Sequence, residues 1–446
     1  MRDTAISDQP FGAPSPPPRP ASERVFLLLQ GPHGPFFDRL GAMLRAAGAT
    51  VWRVGFNAGD EFFWSDSAHF IKHEGTSHDW PAHLDNLITR LGVTDLVLYG
   101  DVRPVHASAR RAASVRHLTL HVFEEGYLRP FWISYERGGS NGHSRLMDLT
   151  VPDMRHALRG RENERLRPPA HWGDTNHHRF YGALYHFIMA TGARRYPNFR
   201  THRNITVREE FKLSLQRLMA TPITVVQRIR ATRRIRNAGH PFVLVLLQLE
   251  HDASFLAHSP YSKLSQFTDE VMDAFARSAP RHHHLVFKLH PLDDGRSRVD
   301  RSIRASAARL GIGHRVQFVH GGKLAQLLNV ARSVVTVNST AAQQALWRGL
   351  PVKAMGRAVY DKPGLVSAQT LDEFFRSPDR PDRQSYRDYR DYLLETSQVP
   401  GGFYAARSRA HVLRLAVDLM LDPLSPYDAL AAGFGTHRQQ MDQDIG

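Results

Sequence analysis

Three places in this sequence put groups that can act on an anion or a proton directly after an apolar run. Phe287-Lys288-Leu289-His290-Pro291 ends one such run. Proline fixes its own φ and restricts the residue before it, so the His290 imidazole is aimed rather than swept around, and an imidazole so held can donate to a phosphate. Taken alone, the pair is also what an ordinary loop contains. Val337-Asn338-Ser339-Thr340-Ala341 runs from strand into helix, with hydroxyls where free N–H groups and the helix dipole attract an anion. The plain alternative there is an N-cap. Val122-Phe-Glu124-Glu125-Gly126-Tyr127 pairs two carboxylates at a strand end. Neighbouring like charges push one carboxyl pKa upward, which suits a general acid or base; a solvated acidic turn is the alternative. Asp101, in Leu98-Tyr-Gly-Asp101-Val-Arg103-Pro104, is another acid at a strand end, expected to face the same cleft.

The surrounding pattern says what must hold these groups. From Val25 onward, strand-length apolar runs alternate with helical spacing. The strands fall at 25–30, 50–54, 95–99 and 118–123, with helices at 36–47, 79–91 and 107–113 between them. That alternation predicts a parallel sheet covered by helices on both faces. Residues 151–240 are rich in Arg and His and predict helical, basic connecting structure around 180–190 and 208–236. From residue 241 to about 370 the alternation resumes as a second Rossmann-like unit, with a helix expected from Thr340 to Arg348. Residues 371–446 read as helices that could return to the first unit, then a polar tail. The expected class is α/β, two Rossmann-like domains (24–150 and 241–370) facing a central cleft, where ligands sit at the carboxyl ends of parallel strands.

Bulk composition narrows the chemistry. The chain has 446 residues, too many for one ordinary domain, and 42% of them are hydrophobic against 23% charged, a globular mix. It has no cysteine, which removes disulfides, zinc ribbons and thiol nucleophiles. Residues 1–23 read as a Pro-rich disordered leader without the apolar region of a signal peptide. No apolar run approaches the roughly 20 residues of a membrane helix, so a cytoplasmic location is expected. With 58 Lys and Arg against 43 Asp and Glu, the formal net charge is +15. Arg228, Arg230, Arg233, Arg234 and Arg236 form one cluster; Arg194, Arg195, Arg200 and Arg203 form another. A solvated helix face or an anionic membrane surface accounts for them. No aromatic-basic motif accompanies them, so nucleic acid is not expected.

The acidic-acidic-Gly string, the His-Pro pair and the Ser-Thr pair, in that order, resemble the bacterial CMP-sialic acid transferases of GT-B fold. Longer strings are more similar to the capsular polysaccharide transferases of 3-deoxy-oct-2-ulosonic acid (Kdo). They are Gln30-Gly-Pro-His-Gly-Pro-Phe-Phe37, Phe56-Asn-Ala-Gly-Asp60, Tyr99-Gly-Asp-Val-Arg-Pro104, Phe123-Glu-Glu-Gly-Tyr-Leu-Arg-Pro130, Leu247-Gln-Leu-Glu-His-Asp252, His290-Pro291 and Asn338-Ser-Thr340.

That resemblance implies a glycosyltransferase with CMP-Kdo as donor substrate, no cofactor and no metal. It implies a glycolipid or phospholipid acceptor of phosphatidylglycerol type, a peripheral position on the inner membrane, and other capsule biosynthesis and export proteins as partners. It implies His290, Ser339 and Thr340 on the CMP phosphate, with Lys288, Pro291, Asn338 and Gln248 beside them. Glu125 is the leading catalytic carboxylate, Glu124 the second and Asp101 a reserve; Gln30, Asn57 and Arg129 line the acceptor side. Which carboxylate is nucleophile and which is acid/base stays open. His282-His-His284 and Asp442-Gln-Asp444 are the only metal-like strings, and neither has the spacing or position of a metal site. A non-catalytic export or assembly factor, a transferase of another CMP-linked acid sugar and a nucleotide-sugar epimerase are the competing readings.

Overall fold

The computed structural model describes residues 19–160, 174–200, 225–250, 252–290, 293 and 298–434. Two sheets organise them. The first contains β1 (Val25–Leu28), β2 (Thr50–Gly55), β3 (Phe70–Lys72), β4 (Asp95–Tyr99), β5 (Thr119–Glu125), β6 (Trp132–Arg137) and, from far along the chain, β12 (Gln398–Pro400). The second contains β7 (Phe242–Leu246), β8 (His284–Leu289), β9 (Val316–His320), β10 (Ser333–Thr336) and β11 (Val352–Ala354). The first sheet runs β12-β6-β5-β4-β1-β2-β3 and the second β11-β10-β7-β8-β9. Counting strands within each lobe, both share the order 3-2-1-4-5, in which the crevice opens where the winding reverses.

The central strands are apolar on both faces because helices cover both. In β1, Leu27 packs with Leu96, Leu98 and Val122 against the helix Trp80–Leu91, through Leu84, Leu87 and Ile88. Its neighbours Phe26 and Leu28 face the opposite way, onto Phe36, Leu40 and Leu44 of the helix Phe36–Ala46. The second lobe repeats the device. Val243 and Val245 meet Phe267, Val271 and Phe275 of the helix Leu264–Ser278, while Leu244 and Leu246 face Leu327, Leu346 and Tyr389. Gly48 (φ +97°) and Gly92 (φ +64°) adopt the left-handed region after the helices Phe36–Ala46 and Trp80–Leu91, turning the chain back into the sheet.

Two features depart from an all-parallel pattern. β6 pairs antiparallel with β5, and β12 pairs antiparallel with β6. Only residues 126–131 join β5 to β6, and a parallel crossover needs a dozen residues or more. The helix expected from Thr340 to Arg348 is a 3₁₀ turn, Thr340–Ala342, running into the short helix Gln343–Trp347. The chain after residue 370 is shared between the lobes. Phe374 and Phe375 complete the core beneath the helix Leu264–Ser278, whereas Val412, Leu413, Ala416 and Met420 of the helix Ala406–Leu421 pack on the first sheet. Of the connecting region, the helices Asp174–Thr191 and 225–237 are described; Arg203 and most of 208–236 lie outside the described residues.

Candidate active site

The carboxyl ends of β4 and β5 face those of β7, β8 and β10 across a cavity of about 1060 Å³. From the first lobe its lining includes Tyr99, Arg103, Glu124, Glu125 and Arg129; from the second, Gln248, Lys288, His290, Asn338, Ser339 and Thr340. Pro291 lies outside the described residues.

On the first wall the two carboxylates differ in setting. The Tyr99 hydroxyl donates to Glu125 Oε1 at 3.1 Å. Burial raises the Tyr99 pKa well above its ordinary value, and the Glu125 charge adds to this, so the phenol remains a donor. Glu124 lies against Gly100, where a Cβ would come within 2.8 Å of Oε2, and its Oε1 accepts the Glu125 N–H at 3.1 Å. Burial first, and then the Glu125 charge, push its pKa up to about 7, against the partial relief of that N–H, Arg129 and Arg103. A carboxyl in this state exchanges a proton near neutral pH. Arg103 donates to Gln30 Oε1 at 3.2 Å and lies over the Tyr99 ring, and Arg129 donates to Gly126 O at 3.1 Å.

On the second wall, Lys288 is buried, and its ammonium has no hydrogen bond or ion pair with a described residue. Burial, together with nearby Arg228, lowers its pKa to about 8, so a cation waits there for an anion. The Asn338 N–H donates to Gln248 Oε1 at 3.2 Å, and its amide donates to His258 O at 3.3 Å. These bonds fix the loop after β10. Ser339 Oγ accepts the Ala341 N–H at 3.3 Å, so this hydroxyl serves as a cap. Thr340 is half-buried on the cavity wall.

Three expected residues are elsewhere. Asp101 is fully buried and does not line the cavity. Gly100 (φ +69°) turns the chain just ahead of it, and the carboxylate accepts from Ser140 N at 3.1 Å and pairs with His143 Nδ1 at 3.0 Å. Burial opposes its ionisation, but His143 and Ser140 outweigh this and hold its pKa below the usual range. Asn57 is buried as the cap of the helix Ala58–Phe62, accepting from Gly59 N at 2.8 Å and donating to Tyr185 Oη at 2.7 Å. Gln30 donates to the same Tyr185 oxygen at 3.2 Å and reaches the cavity only through Arg103. The Tyr99-to-Pro104 string carries the missed pair, Tyr99 and Arg103. Gly100 between Tyr99 and Asp101 was the signal that successive side chains would not share one side. Trp347, Arg348, Tyr386 and Arg390 also line the cavity, and no strand-end pattern marks them. His284 of the triple-histidine string stacks on His240, with centroids 4.2 Å apart.

No described helix is long and apolar enough to cross a membrane. The chain is 32% identical over 395 residues to the capsule polysaccharide export protein KpsS of Escherichia coli, covering 86% of this chain and 97% of that one. It is also 32% identical over 392 residues to the capsule polysaccharide modification protein LipB of Neisseria meningitidis serogroup A, covering 86% and 92%. Among solved structures, the β-Kdo 2,7-transferase of Thermosulfurimonas dismutans KpsC superposes with a TM-score of 0.39 at 13% identity, over 82% of this chain and 89% of that one. That likeness is too distant to bear on the site. The model of the capsule polysaccharide biosynthesis protein family matches residues 94–404, which span the strand ends from Tyr99 to Thr340, and the chain belongs to that family.

Proposed function

We propose that this protein is a glycosyltransferase that moves Kdo from CMP-Kdo to an anionic lipid of phosphatidylglycerol type in capsule biosynthesis. The observation that carries this reading is the single cavity lined by both the Glu124–Glu125 pair and the Lys288–His290 wall. In the reaction, an acceptor hydroxyl oxygen bonds to the anomeric carbon of the sugar. The bond from that carbon to the phosphate oxygen breaks, and CMP leaves with the electron pair. Lys288 and His290, with Thr340, receive the charge that develops on the leaving phosphate, as preorganised donors do; the reading calls on no metal ion or cofactor. Glu125, oriented by Tyr99, acts at the reacting centre. Glu124, with its pKa near 7, takes and returns the proton.

The exposed arginines on the helix 225–237 (Arg230, Arg233, Arg234 and Arg236) fit an anionic inner-membrane leaflet that supplies the lipid. Liposome flotation checks this, and equal binding to neutral and phosphatidylglycerol vesicles removes it.

The experiment for the reaction is incubation with CMP-Kdo generated in situ and short-chain phosphatidylglycerol, read by mass spectrometry, beside Glu125→Gln and His290→Ala. A Kdo-sized mass gain on the lipid, absent in both variants, is expected. No product with CMP still bound moves the assignment to another acceptor or acid sugar. No product and no CMP binding leaves a non-catalytic assembly factor.

A further inference from the structure

Across the cavity from the acids, the second lobe presents a group of side chains that neither proton chemistry nor phosphate leaving requires. Trp347 ends the short helix Gln343–Trp347 and lines the cavity, yet 59% of it is exposed. The Arg390 guanidinium carbon lies 4.9 Å from its ring centroid, and Tyr386 meets it edge-on at 6.3 Å. Arg348 donates to Asn329 Oδ1 at 3.0 Å and to Gln344 O at 2.8 Å, both neutral acceptors, and no described carboxylate pairs with it. Next to Asn329 stands Val330, 45% exposed. Arg390 is 3.4 Å from the carboxylate of its neighbour Asp391.

An indole left this open costs hydration free energy unless something covers it, and a tryptophan with one apolar body and a polar edge suits a boundary between water and hydrocarbon. Guanidinium forks match phosphate oxygens in geometry and charge. A ligand that answers both is a phosphodiester joined to an apolar chain. The other lining charges agree, since Arg103, Arg129 and Lys288 also carry positive charge into the cavity.

We infer that Trp347, Arg348 and Arg390 form the site that receives the phosphodiester headgroup of the lipid acceptor, the indole lying against its glyceryl and first acyl carbons. This rests on the reading of the cavity as a lipid-acceptor transferase site. It transfers the acceptor contact from Gln30 and Asn57, which do not line the cavity, to the rim of the second lobe.

The test is calorimetric titration of the full chain with dihexanoyl phosphatidylglycerol below its micelle concentration, with glycerol 3-phosphate, and with CMP. Wild type is compared with Trp347→Ala, Trp347→Phe, Arg348→Ala and Arg390→Ala. Trp347→Ala is expected to weaken the lipid about tenfold, a loss of about 1.4 kcal/mol, and Trp347→Phe to recover most of it. Both arginine variants should weaken lipid and glycerol 3-phosphate alike, whereas Trp347→Ala should spare glycerol 3-phosphate; this separates a lipid headgroup from a free phosphate. CMP affinity should stay within about twofold throughout. Because Trp347 and Arg348 reach solvent, their truncation leaves no buried cavity, and thermal melts check this. Lipid affinity unchanged in all variants, or no lipid binding by wild type, overturns the inference. A parallel loss of CMP affinity in Trp347→Ala overturns it too, making the indole a nucleobase platform. Lipid binding with these losses but no Kdo transfer leaves the headgroup site standing and removes the reading of CMP-Kdo as the donor for this lipid.

Discussion

Asp101 and the Glu124–Glu125 pair stand at the ends of adjacent strands, β4 and β5, and reach opposite situations. Asp101 is enclosed and its charge is consumed by Ser140 and His143. It ties the end of β4 to the loop after β6, and His143 in turn meets His258 of the second lobe, with ring centroids 4.7 Å apart. Glu124 and Glu125 line the cavity, with one Glu125 oxygen accepting from Tyr99 and one Glu124 oxygen accepting from the Glu125 N–H. An acid held by a full set of donors is structural, whereas an acid whose pKa is displaced by burial and a like charge is ready for proton transfer. Position at a strand end does not choose between the two; the turn that follows does.

Four predictions sharpen or break this contrast. Glu125→Gln is expected to lower kcat about 10³-fold, within the range of a lost acid/base or nucleophilic group, while CMP binding is retained; a small change in kcat would put Glu125 beside Asp101 as structural. Asp101→Ala should instead lower stability by about 2 kcal/mol, because it leaves buried donors unmade, with kcat within threefold where the protein is folded. Denaturant midpoints and rates measured on the same sample separate these outcomes, and a large rate loss without destabilisation would restore Asp101 to the reaction.

Lys288→Met should weaken CMP about tenfold at pH 7, as loss of a charge-assisted bond does. In wild type, CMP affinity should fall as pH rises through about 8, because the free Lys288 loses its proton there. A pH-independent affinity would show that this cation does not meet the phosphate. Glu124→Gln should cut the rate about 10²-fold, the low end for a lost acid/base, and erase a rate limb near pH 7. The sign for stability follows from linkage. The folded-state pKa is above the ordinary 4.5, so the folded state holds the extra proton between 4.5 and about 7, and wild type should lose stability relative to Glu124→Gln as pH rises through that window. Identical pH profiles would contradict this.

Much of the frame was legible because its signals are local. In Val25–Leu28 and Phe242–Leu246, unbroken apolar runs require strands buried on both faces. Glycines 48 and 92 mark where helices stop, and the alternation of elements requires parallel pairing. β6 and β12 were missed because their pairing breaks the local alternation: β6 is placed by a short loop directly after β5, and β12, which follows the helix Arg383–Thr396, by a partner more than 260 residues away. In the site, Glu124, Glu125, His290 and Thr340 could be named from residue type and strand position. The expected Asn57 and Gln30 are instead gathered by Tyr185, on the helix Asp174–Thr191, into a buried network.

The sequence by itself determined two doubly wound lobes and the strand ends where their polar groups fall, because hydrophobic periodicity and turn chemistry act over a few residues. Only the tertiary structure decided which of those groups share a cavity. It also decided that Arg390, on the helix Arg383–Thr396, lies against Trp347 at the cavity rim. Side-chain direction at a turn, and contact between residues far apart in the chain, depend on packing across the whole molecule, and no local pattern carries that information.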